Sequence, residues 1–186
     1  MNRSALILGS SIIALTASAH AAQWKMDPAA SRLGFRASYE NEAAPGAFKQ
    51  FDTRLRFDPA RPADGKLDVT VRLDSVDMNS TEINDAIREP DWFDLKRFPQ
   101  AEFHSQEIRQ TAPGRYVARG TLSLKGSQQQ VAVAFVWDSN GKTATMAGEV
   151  TLNRGAFGIG TGEWASGDII GLDVKVSFDV RLQRVD

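Results

Sequence analysis

Residues 170–183 read IGLDVKVSFDVRLQ. Ile170, Leu172, Val174, Val176, Phe178, Val180 and Leu182 alternate with Gly171, Asp173, Lys175, Ser177, Asp179, Arg181 and Gln183. Successive side chains of a strand point to opposite faces, so a period of two gives one apolar face and one wet face. The same period recurs upstream. Leu67, Val69, Val71 and Leu73 alternate with Asp68, Thr70 and Arg72. Leu33, Phe35, Ala37 and Tyr39 alternate with Arg32, Gly34, Arg36 and Ser38. Two more alternating runs are Tyr116, Ala118, Gly120, Leu122, Leu124 and Val131, Val133, Phe135, Trp137. Turn residues punctuate the runs at Pro45-Gly46, Asp58-Pro59, Pro62 to Gly65, Pro113-Gly114, Gly126 to Gln130 and Ser139-Asn140-Gly141. The spacing predicts about eight to ten strands in an antiparallel meander. A sheet that long curls, and closing it removes its exposed edges. The expected fold is all-β: an extended antiparallel β-barrel whose interior is filled by side chains or holds one small ligand.

One stretch breaks the pattern, Asn79 to Ser105, NSTEINDAIREPDWFDLKRFPQAEFHS. Asn79 can cap a helix, with Glu82 placed to bond back to it. Ile83 and Ile87 share a helical face, and Pro90 stops the helix. Trp92, Phe93, Phe98 and Phe103 follow closely. A short helical insertion plus an aromatic loop reads as a plug or lid over something apolar. The alternative is that these rings only close a core.

Arg3, the small apolar run Ala5 to Ala17 and Ala19-His20-Ala21 have the form of a leader cleaved after residue 21. The run is shorter than the roughly 20 residues a bilayer span needs. Residues 1–21 are therefore expected to be a signal peptide, and residues 22–186 a single exported, periplasmic domain. There is no cysteine, so the chain has no disulfide, thiol chemistry or thiolate metal site. The formal net charge is −1. Nothing supplies the basic face that nucleic acid requires.

Catalytic signals are weak. His104 is the only histidine beyond the leader, it lies in a predicted strand, and no G-x-S-x-G elbow is present. One histidine without cysteine makes no usual zinc or copper set, and no loop matches a calcium-binding pattern, so no metal is expected. Gly158-Ile159-Gly160-Thr161-Gly162 lacks the helix that should follow a dinucleotide fingerprint. Glycines in a β chain more often mark bends or close backbone approach. The positive signal is apolar: aromatics on alternating positions, pointing into a cavity or filling a packed core.

Several segments carry a family resemblance. They are WKMD at Trp24–Asp27, SRLGF at Ser31–Phe35, GAFKQFDTRLRFD at Gly46–Asp58 and VRLDSVD at Val71–Asp77. DWFDLKRFPQAEFHS at Asp91–Ser105, GTLSLKG at Gly120–Gly126 and LNRGAFGIGTGEW at Leu152–Trp164 complete the set. In this order the chain resembles the YceI-like family of exported lipid-binding proteins. The resemblance implies a lipocalin-like barrel with a helical insertion, and no catalysis and no cofactor. It also implies a long apolar ligand held inside the barrel: a polyisoprenoid, an isoprenoid quinone or a fatty-acid derivative. The residues expected to meet that ligand are Phe35, Phe48, Phe57, Trp92, Phe93, Phe98, Phe103, Leu122, Phe135, Phe157 and Trp164. Arg154, beside the glycine-rich turn, is expected either to contact the ligand head group or to pair an acid or cap carbonyls. Some relatives look associated with membrane cytochromes of the b561 type, which makes such a cytochrome a candidate partner. The alternative function is an unliganded interaction module that docks a membrane or exported partner. A homodimer is compatible with an exposed apolar mouth.

Overall fold

The computed structural model describes residues 21–185. All but the last residue of the expected leader lies outside them. Eleven strands form one sheet: β1 (Gln23–Met26), β2 (Arg32–Tyr39), β3 (Glu42–Phe48), β4 (Phe51–Arg56), β5 (Lys66–Arg72), β6 (Val76–Asp77), β7 (Gln100–Ala112), β8 (Arg115–Leu124), β9 (Ser127–Asn140), β10 (Thr143–Asn153) and β11 (Asp173–Arg184). Two of them, β1 and the two-residue β6, carry too few alternating residues to be read as strands of their own.

Eight strands close the barrel in the order β1-β4-β5-β7-β8-β9-β10-β11, and β1 returns to β11. Closure pairs Trp24 with both Leu55 and Arg184, and Met26 with Leu182. Every pairing in the sheet is antiparallel. β11 changes partner along its length. Its last residues pair β1, while Lys175 to Asp179 pair β2. The β2–β3 hairpin thus takes over the wall where β1 ends.

Two turns lie elsewhere than the sequence suggests. Pro45 and Gly46 are strand residues opposite Arg36 and Phe35. The turn is Glu40-Asn41, both with positive φ (48° and 67°), which suits a two-residue hairpin. Pro45 is tolerated because β6 pairs β3 only at Ala47 and Phe48, leaving its N-terminal part an edge. Gly46 leaves room for the Phe35 ring, which a Cβ would strike. The second displaced turn is Lys125-Gly126, again with both φ positive (48° and 74°), and Ser127 to Gln130 belong to β9.

The helix α1 (Thr81–Ala86) is capped by Ser80, whose Oγ accepts from the Ile83 N–H at 3.3 Å. Asn79 instead adopts φ 57°. None of the six residues of α1 is buried, so it is no plug.

The core occupies one end of the barrel. Phe57, Ile108 and Ala118 are 0% exposed. Around them pack Trp24, Tyr116, Phe135 and Trp137, with ring centroids 5.0–6.0 Å apart. A bulge in β7 between Ser105 and Glu107 shifts the register so that Ile108 faces inward. Ser105 Oγ there accepts from the Leu67 N–H at 2.7 Å.

Candidate functional site: the open half of the barrel

The inward rows do not stay buried along their length. On β8, Tyr116 and Ala118 are buried but Leu122 and Leu124 are half-exposed. On β9, Trp137 and Phe135 are buried, Val133 and Val131 half-exposed. β11 repeats the pattern: Leu182 and Val180 are covered, Phe178, Val176 and Val174 are not. β5 and β10 behave alike, with Leu67 giving way to Val69 and Val71, and Met146 to Val150 and Leu152. Each row keeps its apolar character across the change. Inward apolar side chains of a closed barrel are uncovered only if the space they face is open. The half of the barrel away from the core therefore presents apolar inward rows that are only partly covered, with Ala101 and Phe103 of β7 buried among them.

Two loops gather over that end. The first, residues 87–98, winds in tight turns with Phe93 N–H bonded to Ile87 O and Phe98 N–H to Asp94 O. The second, residues 154–171, is held by Arg154. Its guanidinium is buried and all five N–H groups donate to carbonyls. Nε reaches Gly171 at 3.0 Å, Nη1 reaches Ile159 and Gly160 at 2.8 and 3.1 Å, and Nη2 reaches Trp164 and Ile170 at 2.6 and 2.5 Å. Gly160, at φ 73°, has to be glycine, because a Cβ there would strike the guanidinium. Burial lowers the Arg154 pKa from its ordinary value, though an arginine stays charged.

The loops are latched to each other. The Asp91 carbonyl accepts from Gly160 and Thr161 N–H at 2.7 and 3.0 Å, and the Asp91 carboxylate from Thr161 Oγ1 at 2.7 Å. Lys125, from the β8–β9 turn, donates Nζ to Pro90 O at 2.7 Å and Gly158 O at 2.6 Å. Burial lowers the Lys125 pKa, and Asp94 and Asp91 pull it partly back.

The expected ligand residues sort into groups. Phe35, Phe48 and Phe93 form a half-buried row, with centroids 5.2 and 6.1 Å apart. Trp92 and Trp164 meet at 6.0 Å, and the Arg154 Cζ lies 5.7 Å from the Trp92 ring. Leu122 lies directly opposite Phe103 across the β7–β8 pair, half-exposed where Phe103 is buried. Phe98 packs under the Gly126 turn with the Arg97 Cζ at 4.9 Å from its ring. Phe157 is buried in the tight turn Arg154–Phe157. Phe57 and Phe135 belong to the packed end and are enclosed by other rings. Of the roles open to Arg154, carbonyl capping accounts for every donor it has.

Sequence reasoning passed over Asp91, Lys125 and Thr161. Their partners are up to 70 residues away in sequence, so no local signal marks them. It also left Val69, Val133 and Phe178 out of the expected ligand residues, although the alternating rows had already put them on the apolar face. His104 lies outside the barrel, with Nδ1 2.8 Å from Asp68 Oδ1 and Nε2 3.5 Å from Glu102 Oε2.

The family model for the YceI-like domain matches residues 24–182. The chain belongs to the YceI-like family. A UPF0312 protein of Photorhabdus laumondii is 34% identical over 117 residues, covering 61% of this chain and 60% of that protein. A UPF0312 protein of Pseudomonas putida is 28% identical over 187 residues, 92% of this chain and 93% of its own length. Among solved structures, Burkholderia cenocepacia BcnA superposes with a TM-score of 0.82 at 35% identity, over 84% of this chain and 98% of that one. A polyisoprenoid-binding domain from Saccharophagus degradans, implicated in plant cell wall breakdown, gives 0.71 at 14% identity, over 87% and 98% of the two chains. At that identity the second likeness speaks to the fold alone. The barrel fold is thus shared with both solved structures.

Proposed function

We propose that this YceI-like protein binds a long apolar chain inside the open half of its barrel: a polyisoprenoid, an isoprenoid quinone or a fatty-acid derivative. The observation that carries this reading is the coordinated loss of burial along β5, β8, β9, β10 and β11 with no loss of apolar character. Each CH₂ moved from water to such a wall is worth roughly 0.8 kcal/mol, against several kcal/mol for ordering the ligand. The wall therefore sets affinity, and polar groups set orientation. The protein acts as a carrier and performs no chemistry on its ligand. The apolar character of the inward rows supports the ligand class, and the leader expected over residues 1–21 supports a periplasmic address. Native mass spectrometry of the purified protein, followed by organic extraction, tests the reading. A stoichiometric isoprenoid or acyl species is the expected result. A bare protein mass, unchanged after incubation with quinones and polyprenols, would overturn it.

The second reading, docking to a membrane protein such as a b561-type cytochrome, draws on Tyr39 and Ile169. Both are exposed, at 50% and 45%, and adjacent at the mouth, where the Glu40 N–H bonds Ile169 O at 2.7 Å. Loss of cytochrome binding on Tyr39→Ser with Ile169→Ser, the ligand still bound, is its expected signature.

A further inference from the structure

The wall is incomplete at one place. β1 pairs β4 only through Gln23 to Lys25 opposite Arg56 to Arg54, so Phe51, Asp52 and Thr53 pair with β5 alone. On the other side of the gap the chain leaves β1 at Met26 and re-enters the sheet at Arg32. A groove of about 450 Å³ lies in this gap. Its lining combines two kinds of residue. Met26 and Phe51 belong to the inward rows, and Phe51 packs against the core cluster. Asp52, Arg54, Thr70 and Arg72 belong to the outward face. The groove is thus bordered by side chains from both faces of the sheet, at a gap in its pairing.

Three cations, Lys49, Arg54 and Arg72, line the groove against one carboxylate, Asp52. Each has an acidic neighbour: Lys49 with Asp77 at 3.3 Å, Arg54 with Asp52 at 3.4 Å and Arg72 with Asp74 at 2.5 Å. Arg72 holds Asp74 through two hydrogen bonds, Nε at 3.1 Å and Nη2 at 2.5 Å. Lys49 and Arg54 instead make single contacts from exposed side chains, worth about 0–1 kcal/mol, so another anion can compete for those two. The cations beneath the mouth loops offer no such opportunity, because Arg154 and Lys125 are committed to backbone carbonyls.

We propose that this groove is the head-group site of the bound amphiphile. An acidic head, carboxylate or phosphate, rests against Lys49 and Arg54, and the tail passes Phe51 into the cavity. The proposal rests on the ligand reading above and adds the chemistry of the head and its position in the side wall.

The test uses two fluorescent probes with the same tail, cis-parinaric acid and its methyl ester, titrated against the full protein. The key variant is Lys49→Glu with Arg54→Glu, both highly exposed positions that carry little of the fold. Arg109→Glu with Arg119→Glu, on the outer face of β7 and β8, makes the same change in net charge away from the groove. Acid affinity is expected to fall about tenfold in the groove variant, with the ester and the control changing less than about twofold. Equal losses for acid and ester, no loss for the acid, or an equal loss in the control would overturn the head-group site. Failure of the unaltered protein to bind either probe would overturn the cavity reading instead.

Discussion

The two ends of the barrel are built from the same strands and the same kinds of residue, yet they do different work. At the packed end Phe57, Tyr116, Phe135 and Trp137 interlock, and Ala118 and Ala144 fill the gaps between them. At the other end Val69, Leu122, Val133 and Phe178 pack against the edge of that cluster and stay only partly covered. Large rings set against small residues give a close-packed interior, whereas rows of valine and leucine with fewer enclosed rings cover one another less completely. Stability should therefore reside at one end and binding at the other.

The sharpest way to break this division is Phe57→Ala. Removing a fully enclosed ring should cost about 4 kcal/mol in urea unfolding. A loss below about 1 kcal/mol would mean that the packed end is not the source of stability. Next is Arg154→Ala, which strands five carbonyls and should cost about 3 kcal/mol. Arg154→Lys should not restore it, since an ammonium cannot match the planar fork. Hydrogen exchange should locate the damage in residues 158–171. A variant with normal exchange there but no bound ligand would move Arg154 from the scaffold to the ligand.

Leu122→Trp sharpens the comparison from the other side. The added ring should occupy the lumen and weaken ligand binding by more than about 100-fold, or roughly 2.7 kcal/mol, while the melting temperature stays within a few degrees. Binding that survives would place the ligand elsewhere. The smallest effect belongs to His104, on neither interior. Its hydrogen bond to Asp68, helped by Glu102, raises its pKa above 6.5. The folded state then holds the proton more tightly than the unfolded chain. This contribution is fully present below the unfolded histidine value and fades as pH rises through the raised one. For so exposed a pair it should stay under about 1 kcal/mol. His104→Gln should flatten that part of the stability–pH curve and leave binding unchanged.

The barrel was legible because its faces alternate strictly, as in β11, and because turn residues bound the runs. The turns at Glu40-Asn41 and Lys125-Gly126 were missed for a simple reason. Glutamate and lysine are unusual at positive φ, and Pro45-Gly46 nearby was the stronger textual signal. The cavity was not separable from a core, since valine and leucine mark an inward position equally well whether or not anything covers them. The exponents of the mouth, Asp91, Lys125 and Thr161, depend on loops that meet only in three dimensions.

The partner change along β11 has a consequence for how the chain folds. The barrel closes through Trp24 opposite Arg184, with the Val185 N–H bonded to Gln23 O at 3.0 Å. The two ends of the described chain are thus stitched together by the final pairing. Contacts of such long sequence separation demand loop closure before they reward it, so folding should be slow and should end with this stitch. Until β11 arrives, the outer edge of β1 and the free edge of β10 stay unpaired. An unfinished molecule is therefore at its most adhesive just before it is complete.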